Sequence, residues 1–281
     1  IMTDSIIIMA AGVSSRMKTF VSSTILTERQ IEFANSKSKV LIEFGAESKP
    51  FISYSISNMI KSGFNKIYIV TSENAHYFRD NFNELLKIDL KKCDVNFSVQ
   101  YLPVKRTKPL GTADAVFQTM EQYPNLKSKS FCVCNGDNLY SIESLKKIKS
   151  TKSNNAFIAY DRDGLKFPKE RISSFSIAKL DKENSLIDII EKPNKEIINK
   201  SLDSLGKIRV NMNLFKFHGE DSFSFFKNCP INKKRNEKEI PDVLKQMISK
   251  SNKNIIGIPM SENVLDLTSK TDIIEIYKYL K

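Results

Sequence analysis

Residues 5–18 read SIIIMAAGVSSRMK: an apolar run, two alanines and a glycine, then small polar residues and cations. Ile6, Ile7 and Ile8 form a short unbroken apolar segment, the pattern of a strand buried on both faces. Gly12, Ser14 and Ser15 then end it as a turn would. A loop that leaves a buried strand just before a helix can also turn its backbone N–H groups toward an anion. Ala10, Ala11 and Gly12 have little side chain to keep a ligand off that backbone, and Arg16 adds a planar fork suited to phosphate oxygens. The stretch alone does not choose between an ordinary turn and a phosphate loop. It matches neither G-x-x-x-x-G-K-[ST] nor G-x-G-x-x-G.

Similar apolar runs recur at 66–71, 96–101, 131–135, 155–160, 187–190, 208–217 and 254–259. Helical patterns lie between them. PFISYSISNMIKSG (50–63) spaces Phe51, Tyr54, Ile56, Met59 and Ile60 along one face, with Gly63 as its stop. TADAVFQTMEQY (112–123), SIESLKKIKS (141–150) and SKTDIIEIYKYL (269–280) behave alike, with Thr112 and Ser141 as expected N-caps. Strands alternating with helices imply βαβ units and a largely parallel sheet. Residues 19–38, rich in Ser and without clear period, read as an inserted segment that closes over a ligand at the first loop.

Composition narrows the function. The 281 residues are 41% hydrophobic and 27% charged, ordinary for a globular chain, and no apolar stretch approaches the length of a membrane span. The first residues lack the pattern of a secretory signal, so a cytoplasmic location and no membrane partner are expected. Cys93, Cys132, Cys134 and Cys229 contain no C-x-x-C pair and read as reduced, packed thiols, with Cys132 and Cys134 on one face of a strand. His76 and His218 stand far apart, which argues against a zinc site and against histidine acid–base chemistry. The net charge of +12 calls for an anionic partner. Its lysines are dispersed, and the densest cluster, Lys233-Lys234-Arg235, runs at once into NEKE, so a small polyanion is expected and nucleic acid is not. Self-association stays open.

Several blocks together then carry a resemblance. MAAGVSSRMK (9–18) resembles the L-A-A-G-x-G-[ST]-R-[ML] signature of the sugar-phosphate nucleotidylyltransferases, and the lysine that follows it in that family is matched by Lys39 in SKVLIEFGAESKPFISYSI (38–56). PLGTADAV (109–116) is similar to the family's G-[TL]-A-x-A block, and FCVCNGDNLYS (131–141) to its strand ending in G-D. IIEKPN (189–194) matches E-K-P, RVNMNLFKF (209–217) echoes V-N-x-G-x-[YF]-x-F, and NVLDLTSKTD (263–272) echoes W-x-D-x-G-T. The blocks keep the family's order across nearly the whole chain, and the resemblance turns the opening loop into a phosphate loop. Ser14, Asn213 and Thr268 stand where glycines are common, and the stretch between Arg16 and Lys39 is longer than usual.

The resemblance implies a Rossmann-like three-layer sandwich with a mixed, mostly parallel sheet. It implies a single nucleotidyltransferase domain over 1–281, with a nucleotide half at 1–150 and an acceptor half at 151–281. The implied reaction joins a nucleoside triphosphate and a sugar-1-phosphate into an NDP-sugar, releasing pyrophosphate. Asp137 and Asp266 would hold Mg²⁺, a hard cation suited to carboxylate oxygens. Arg16, Lys39 and Lys192 would act on the phosphates, the first two on the triphosphate and Lys192 on the acceptor. Ala10, Ala11, Gly12, Ser14, Arg106, Gly111 and Thr112 would bind the nucleotide, and Asn138, Glu191 and Asn211 the acceptor. Arg106 stands five residues before Gly111, where the family often has a base-reading glutamine. A donor-only fork there suits CTP or GTP better than UTP or dTTP, although Gln100 also comes within reach. Two other functions stay open: a cytidylyltransferase acting on a non-sugar phosphate such as phosphocholine, and a regulatory protein that binds nucleotide sugars without turnover.

Overall fold

The computed structural model describes residues 3–12, 39–173, 175–191, 193–251 and 254–280. The main sheet is built from β1 (Ser5–Met9), β2 (Lys66–Ser72), β3 (Asp94–Gln100), β4 (Ser130–Asn135), β5 (Asn155–Asp161), β6 (Ile177–Leu180), β7 (Leu186–Ile190), β8 (Arg209–His218) and β9 (Ile255–Met260). Their order is β7-β6-β8-β4-β1-β2-β3, with β5 also paired to β8 and β9 to β5. β1, β2, β3 and β4 are mutually parallel, and Ile7 stands between Tyr68 and Val133 in register. The long β8 runs antiparallel to β4, β5 and β6, so one mixed sheet is continuous through both halves of the chain.

The longer helices are α1 (Phe51–Lys61), α2 (Thr112–Gln122), α3 (Ile142–Ser150), α4 (Gly219–Lys227), α5 (Ile240–Lys250) and α6 (Lys270–Tyr279). Strand alternation divides the core between them. Ile6 and Ile8, with Cys132 and Cys134, point to the layer holding Ile52, Ile56 and Met59 of α1 and Leu145 and Ile148 of α3. Ile7 and Val133 point the other way, to Ala113, Val116 and Met120 of α2, Phe226 of α4 and Leu244 and Met247 of α5. This is the three-layer arrangement that the alternation of strands and helices implies. A third cluster, including Ile42, Phe51, Leu139, Leu267 and Ile273, seats α6 beside the end of β4.

The strands expected from the sequence are present to within one or two residues, and β6, α4 and α5 join them without having been legible. Gly63 adopts φ +87° just past α1 and serves as its stop. Ser141 caps α3 by accepting from the Ser144 N–H. Thr112, in contrast, is not an N-cap. Gly111 takes that place at φ +108°, and Thr112 is the first helical residue, its hydroxyl accepting from the Ile240 N–H at 3.2 Å. The four cysteines are free thiols. Among the described residues, no helix is long and apolar enough to cross a membrane, and no group of three His, Cys, Asp or Glu side chains is arranged to hold a metal ion.

Candidate active site

The parallel strands end on one edge, and a cavity of about 300 Å³ opens there. A crevice at the carboxyl ends of parallel strands is where open α/β sheets bind ligands, because the loops diverge there and leave backbone groups unpaired. One wall is the backbone of Ala10, Ala11 and Gly12. Ala10 N–H donates to Val70 O at 3.0 Å, and the Gly136 N–H to Met9 O at 2.9 Å, which fixes the loop between β2 and the end of β4. Among the described residues, no atom lies within 4 Å of where a Gly12 Cβ would stand, so none of them requires its lack of a side chain. It keeps the cavity open.

Lys39 and Asp137 form the second wall, with the Lys39 ammonium donating to the Asp137 carboxylate. Lys39 begins a short 3₁₀ turn (Lys39–Leu41) whose Val40 and Leu41 are buried, and that burial aims the lysine at the site. Asp137 follows β4 and leads into the two-residue strand Asn138–Leu139. That strand pairs antiparallel with Leu265–Asp266, and Leu267 N–H donates to Asp137 O at 2.8 Å. Residues far apart in sequence thus bring two carboxylates together. Burial raises the Asp266 carboxyl above its ordinary value, and the nearby Asp137 charge raises it further. Against this, Asp266 accepts from Arg171 at 2.5 Å and from the Thr268 hydroxyl at 2.7 Å. Arg171 also reaches Asp272 at 2.6 Å and lies 4.5 Å from the centre of the Phe167 ring. No motif marked Arg171, whose partners lie about a hundred residues further along the chain.

The third wall is the nucleotide loop predicted around Gly111. A Cβ on Gly111 would stand 2.4 Å from Lys238 O and 3.0 Å from the Glu237 Cβ. With φ at +108°, both conformation and space demand glycine there. Lys238 N–H donates to Leu110 O at 2.6 Å and Ala113 N–H to Lys238 O at 3.0 Å, so the 237–238 segment is laced to the loop. Gln100, Lys108, Thr112 and Glu237 border the cavity here. Gln100 is the side chain that reaches this wall.

Arg106 does not, which corrects the expectation that it faces a base. The turn closed by Arg106 N–H on Pro103 O directs the side chain sideways. Its guanidinium donates to Asn236 O at 2.7 Å and weakly to Lys108 O, tying the loop to the 232–237 turn. The acceptor residues are also engaged internally. Asn138 is buried, accepting from Asn135 at 3.2 Å and donating to Leu265 O at 3.5 Å, where it braces the small strand pair. Asn211 accepts from the Asn213 N–H at 2.7 Å, holding a bulge in β8 where Asn213 adopts φ +58°. Glu191 sits half-buried past β7, its charge helping to raise the Glu239 carboxyl, for which burial is the larger cause. Ser14, Arg16, Lys192 and the 19–38 segment lie outside the described residues.

Comparison with known proteins gives this geometry its family. A glucose-1-phosphate adenylyltransferase of Thermosipho africanus is 25% identical over 215 residues, 75% of this chain and 48% of that protein. One from Roseobacter denitrificans is 27% identical over 176 residues, 59% of this chain and 39% of that protein. The chain thus spans less than half the length of these curated relatives. The crystal structure of UDP-glucose pyrophosphorylase complexed with UDP-glucose shares the fold, with a TM-score of 0.69, 19% identity, and coverage of 98% of this chain and 97% of that one. The family model described as nucleotidyl transferase matches residues 27–276, which takes in Lys39, Gly111, Asp137 and Asp266, and the chain belongs to that family.

Proposed function

We propose that this protein is a sugar-1-phosphate nucleotidylyltransferase, making an NDP-sugar and pyrophosphate from a nucleoside triphosphate and a sugar-1-phosphate. One observation carries the reading: Asp137 lines a cavity bounded also by the backbone of Ala10–Gly12, and the pairing of 138–139 with 265–266 brings the Asp266 carboxylate close enough to feel its charge. In this reading a phosphate oxygen of the sugar-1-phosphate attacks the α-phosphorus. A new P–O bond forms, the bond from the α-phosphorus to the bridging oxygen breaks, and pyrophosphate leaves with the electron pair. The nucleophile is already an anion, so no general base is required. That fits a site without histidine among its lining residues. The demand on the protein is positioning and charge neutralisation.

The donor set suits a hard divalent cation. Two carboxylates lie close enough for one to raise the other, and a cation between them would relieve that repulsion. Mg²⁺ held by Asp137 and Asp266 would supply positive charge to the crowded phosphates. Lys39, now bonded to Asp137, would be released to a β- or γ-phosphate oxygen, in company with Arg16. The amides of Ala10–Gly12 would hold the triphosphate, Gly111 would let the base lie flat on the backbone, and Lys192, Glu191 and Asn211 would face the acceptor.

The test is pyrophosphate release across ATP, CTP, GTP, UTP and dTTP, each with a panel of sugar-1-phosphates and with phosphocholine. Release with a sugar-1-phosphate supports the reading. Release only with phosphocholine overturns the acceptor assignment, and nucleotide-sugar binding without any release makes this a regulatory binder.

A further inference from the structure

The wall around Gly111 carries more chemistry than the proposed reaction uses. Gln100, 3% exposed at the end of β3, donates through Nε2 to Gly111 O at 3.0 Å and to the Asp114 carboxylate at 2.9 Å. Asp114 is itself buried on α2 and is also held by Gln118 Nε2 at 2.9 Å. The opposite orientation of the Gln100 amide would set its oxygen against two acceptors, so Nε2 is fixed there and Oε1 is left over. Oε1 has no hydrogen-bond partner among the described residues, and Gln100 borders the cavity. Glu237 borders the same cavity, packed beside Gly111, and its carboxylate has no ion pair or hydrogen bond among the described residues. Two acceptors therefore flank one bare glycine.

Resting on the reading of this cavity as a nucleotide site, we propose that Gln100 and Glu237 select a base bearing an exocyclic amino group, with Asp114 as the residue that orients Gln100. Adenine, cytosine and guanine carry such a group. Uracil, thymine and hypoxanthine offer a single ring N–H beside a carbonyl oxygen, and that oxygen meets an acceptor here. Lys108, the cation at this end, does not discriminate, because every base also carries acceptors for it. Arg106, turned away to Asn236, takes no part.

The experiment uses matched pairs that differ only by amine against carbonyl: ATP with ITP, and CTP with UTP. Equilibrium binding of each to the full chain is measured with Mg²⁺ present. In whichever pair binds more tightly, the amino member should lead by at least about tenfold, the scale of leaving a buried polar group unpaired. Glu237→Gln gains an N–H donor, and Asp114→Asn lets the Gln100 amide turn over. Each variant should retain the wild-type circular dichroism and cut that lead to less than about threefold. A keto member that binds as tightly as its amino partner, or a lead unchanged in both variants, overturns the proposal while leaving the nucleotide site intact. If none of the four nucleotides binds, the reading of the cavity itself fails.

Discussion

The cavity wall and the ground behind Asp137, around Asp266, are built in opposite ways. Around Ala10–Gly12 and Gly111 the wall is backbone and part-free side chains: Gln100 Oε1 and the Glu237 carboxylate have no partner among the described residues. On the side of Asp266 the polar groups close on one another. Arg171 bridges Asp266 and Asp272, and Asp272 caps α6 with Ser269. An open wall can meet a ligand with little rearrangement, whereas a closed one must trade internal partners for substrate or cation. Under the proposed function, this contrast gives preorganised recognition to the nucleotide side and a coupled exchange of ion pairs to the Asp137–Asp266 side.

The largest effect should come from breaking that exchange. Asp137→Asn is expected to lower kcat by at least ~10², about 2.7 kcal/mol of barrier, with the fold unchanged. Activity should vanish in a chelator and return with Mg²⁺ or Mn²⁺; full activity in the chelator would remove the metal from this reading.

Next comes a pair of glycines on the open wall. Gly111→Ala forces a side chain into φ +108° and against Lys238 O, and is expected to cost about 2 kcal/mol or more, read by denaturant melts. Gly12→Ala meets nothing within 4 Å among the described residues and should change stability by less than about 0.5 kcal/mol while weakening triphosphate binding. Equal destabilisation by both would show that the phosphate loop is a packing element.

Asp266 tests the closed side through pH. Its carboxyl is raised in the folded protein, by burial first and by Asp137 second, so the folded state holds that proton more tightly than the unfolded chain. The associated stability is present below the ordinary value of 3.8 and is lost as pH rises through the raised folded value. Metal-free Asp266→Asn should therefore gain most in Tm over the wild type near pH 7, and the gain should shrink toward pH 4. A constant difference across that range would mean that Arg171 and Thr268 fully offset the burial cost. The variant should be poorly active in either case, the usual exchange of stability for a charged site.

The smallest effect concerns the thiols, which lie outside both walls. Burial pushes Cys93 and Cys229 up to about 11 and Cys132 to about 12. At pH 7.5 the thiolate needed for alkylation is scarce, so native labelling by iodoacetamide should stay near zero and rise only on unfolding. Rapid labelling of Cys132 would mean that β4, the strand leading into Asp137, opens readily.

Much of this was legible in the chain because it depends on near neighbours. The run Ile6–Ile8, the shared face of Cys132 and Cys134, the cap at Ser141 and the stop at Gly63 are each decided within a few residues by side-chain period or backbone freedom. The order of the motifs placed Asp137 just past the end of its strand and Gly111 just before α2, and both stand on the cavity. β6, α4 and α5 were less legible. β6 is only four residues long, and α4 and α5 take their meaning from α2 and the sheet face that they cover.

What the amino-acid sequence determined by itself was the alternation of strand and helix, the unpaired cysteines, and the order of the motifs that carry the opening Ala10–Gly12 loop, Asp137 and Asp266. The tertiary structure alone decided which groups meet. Gly111 caps α2 because Lys238 leaves no room for a Cβ beside it, and Arg106 turns to Asn236 although its spacing from Gly111 pointed to the base. Asp266 reaches Asp137 only through pairing of two-residue strands 127 residues apart. Propensity and periodicity act over one or two turns of chain, whereas burial, hydrogen-bond satisfaction and charge act over a few ångströms of space, and folding makes distant residues neighbours.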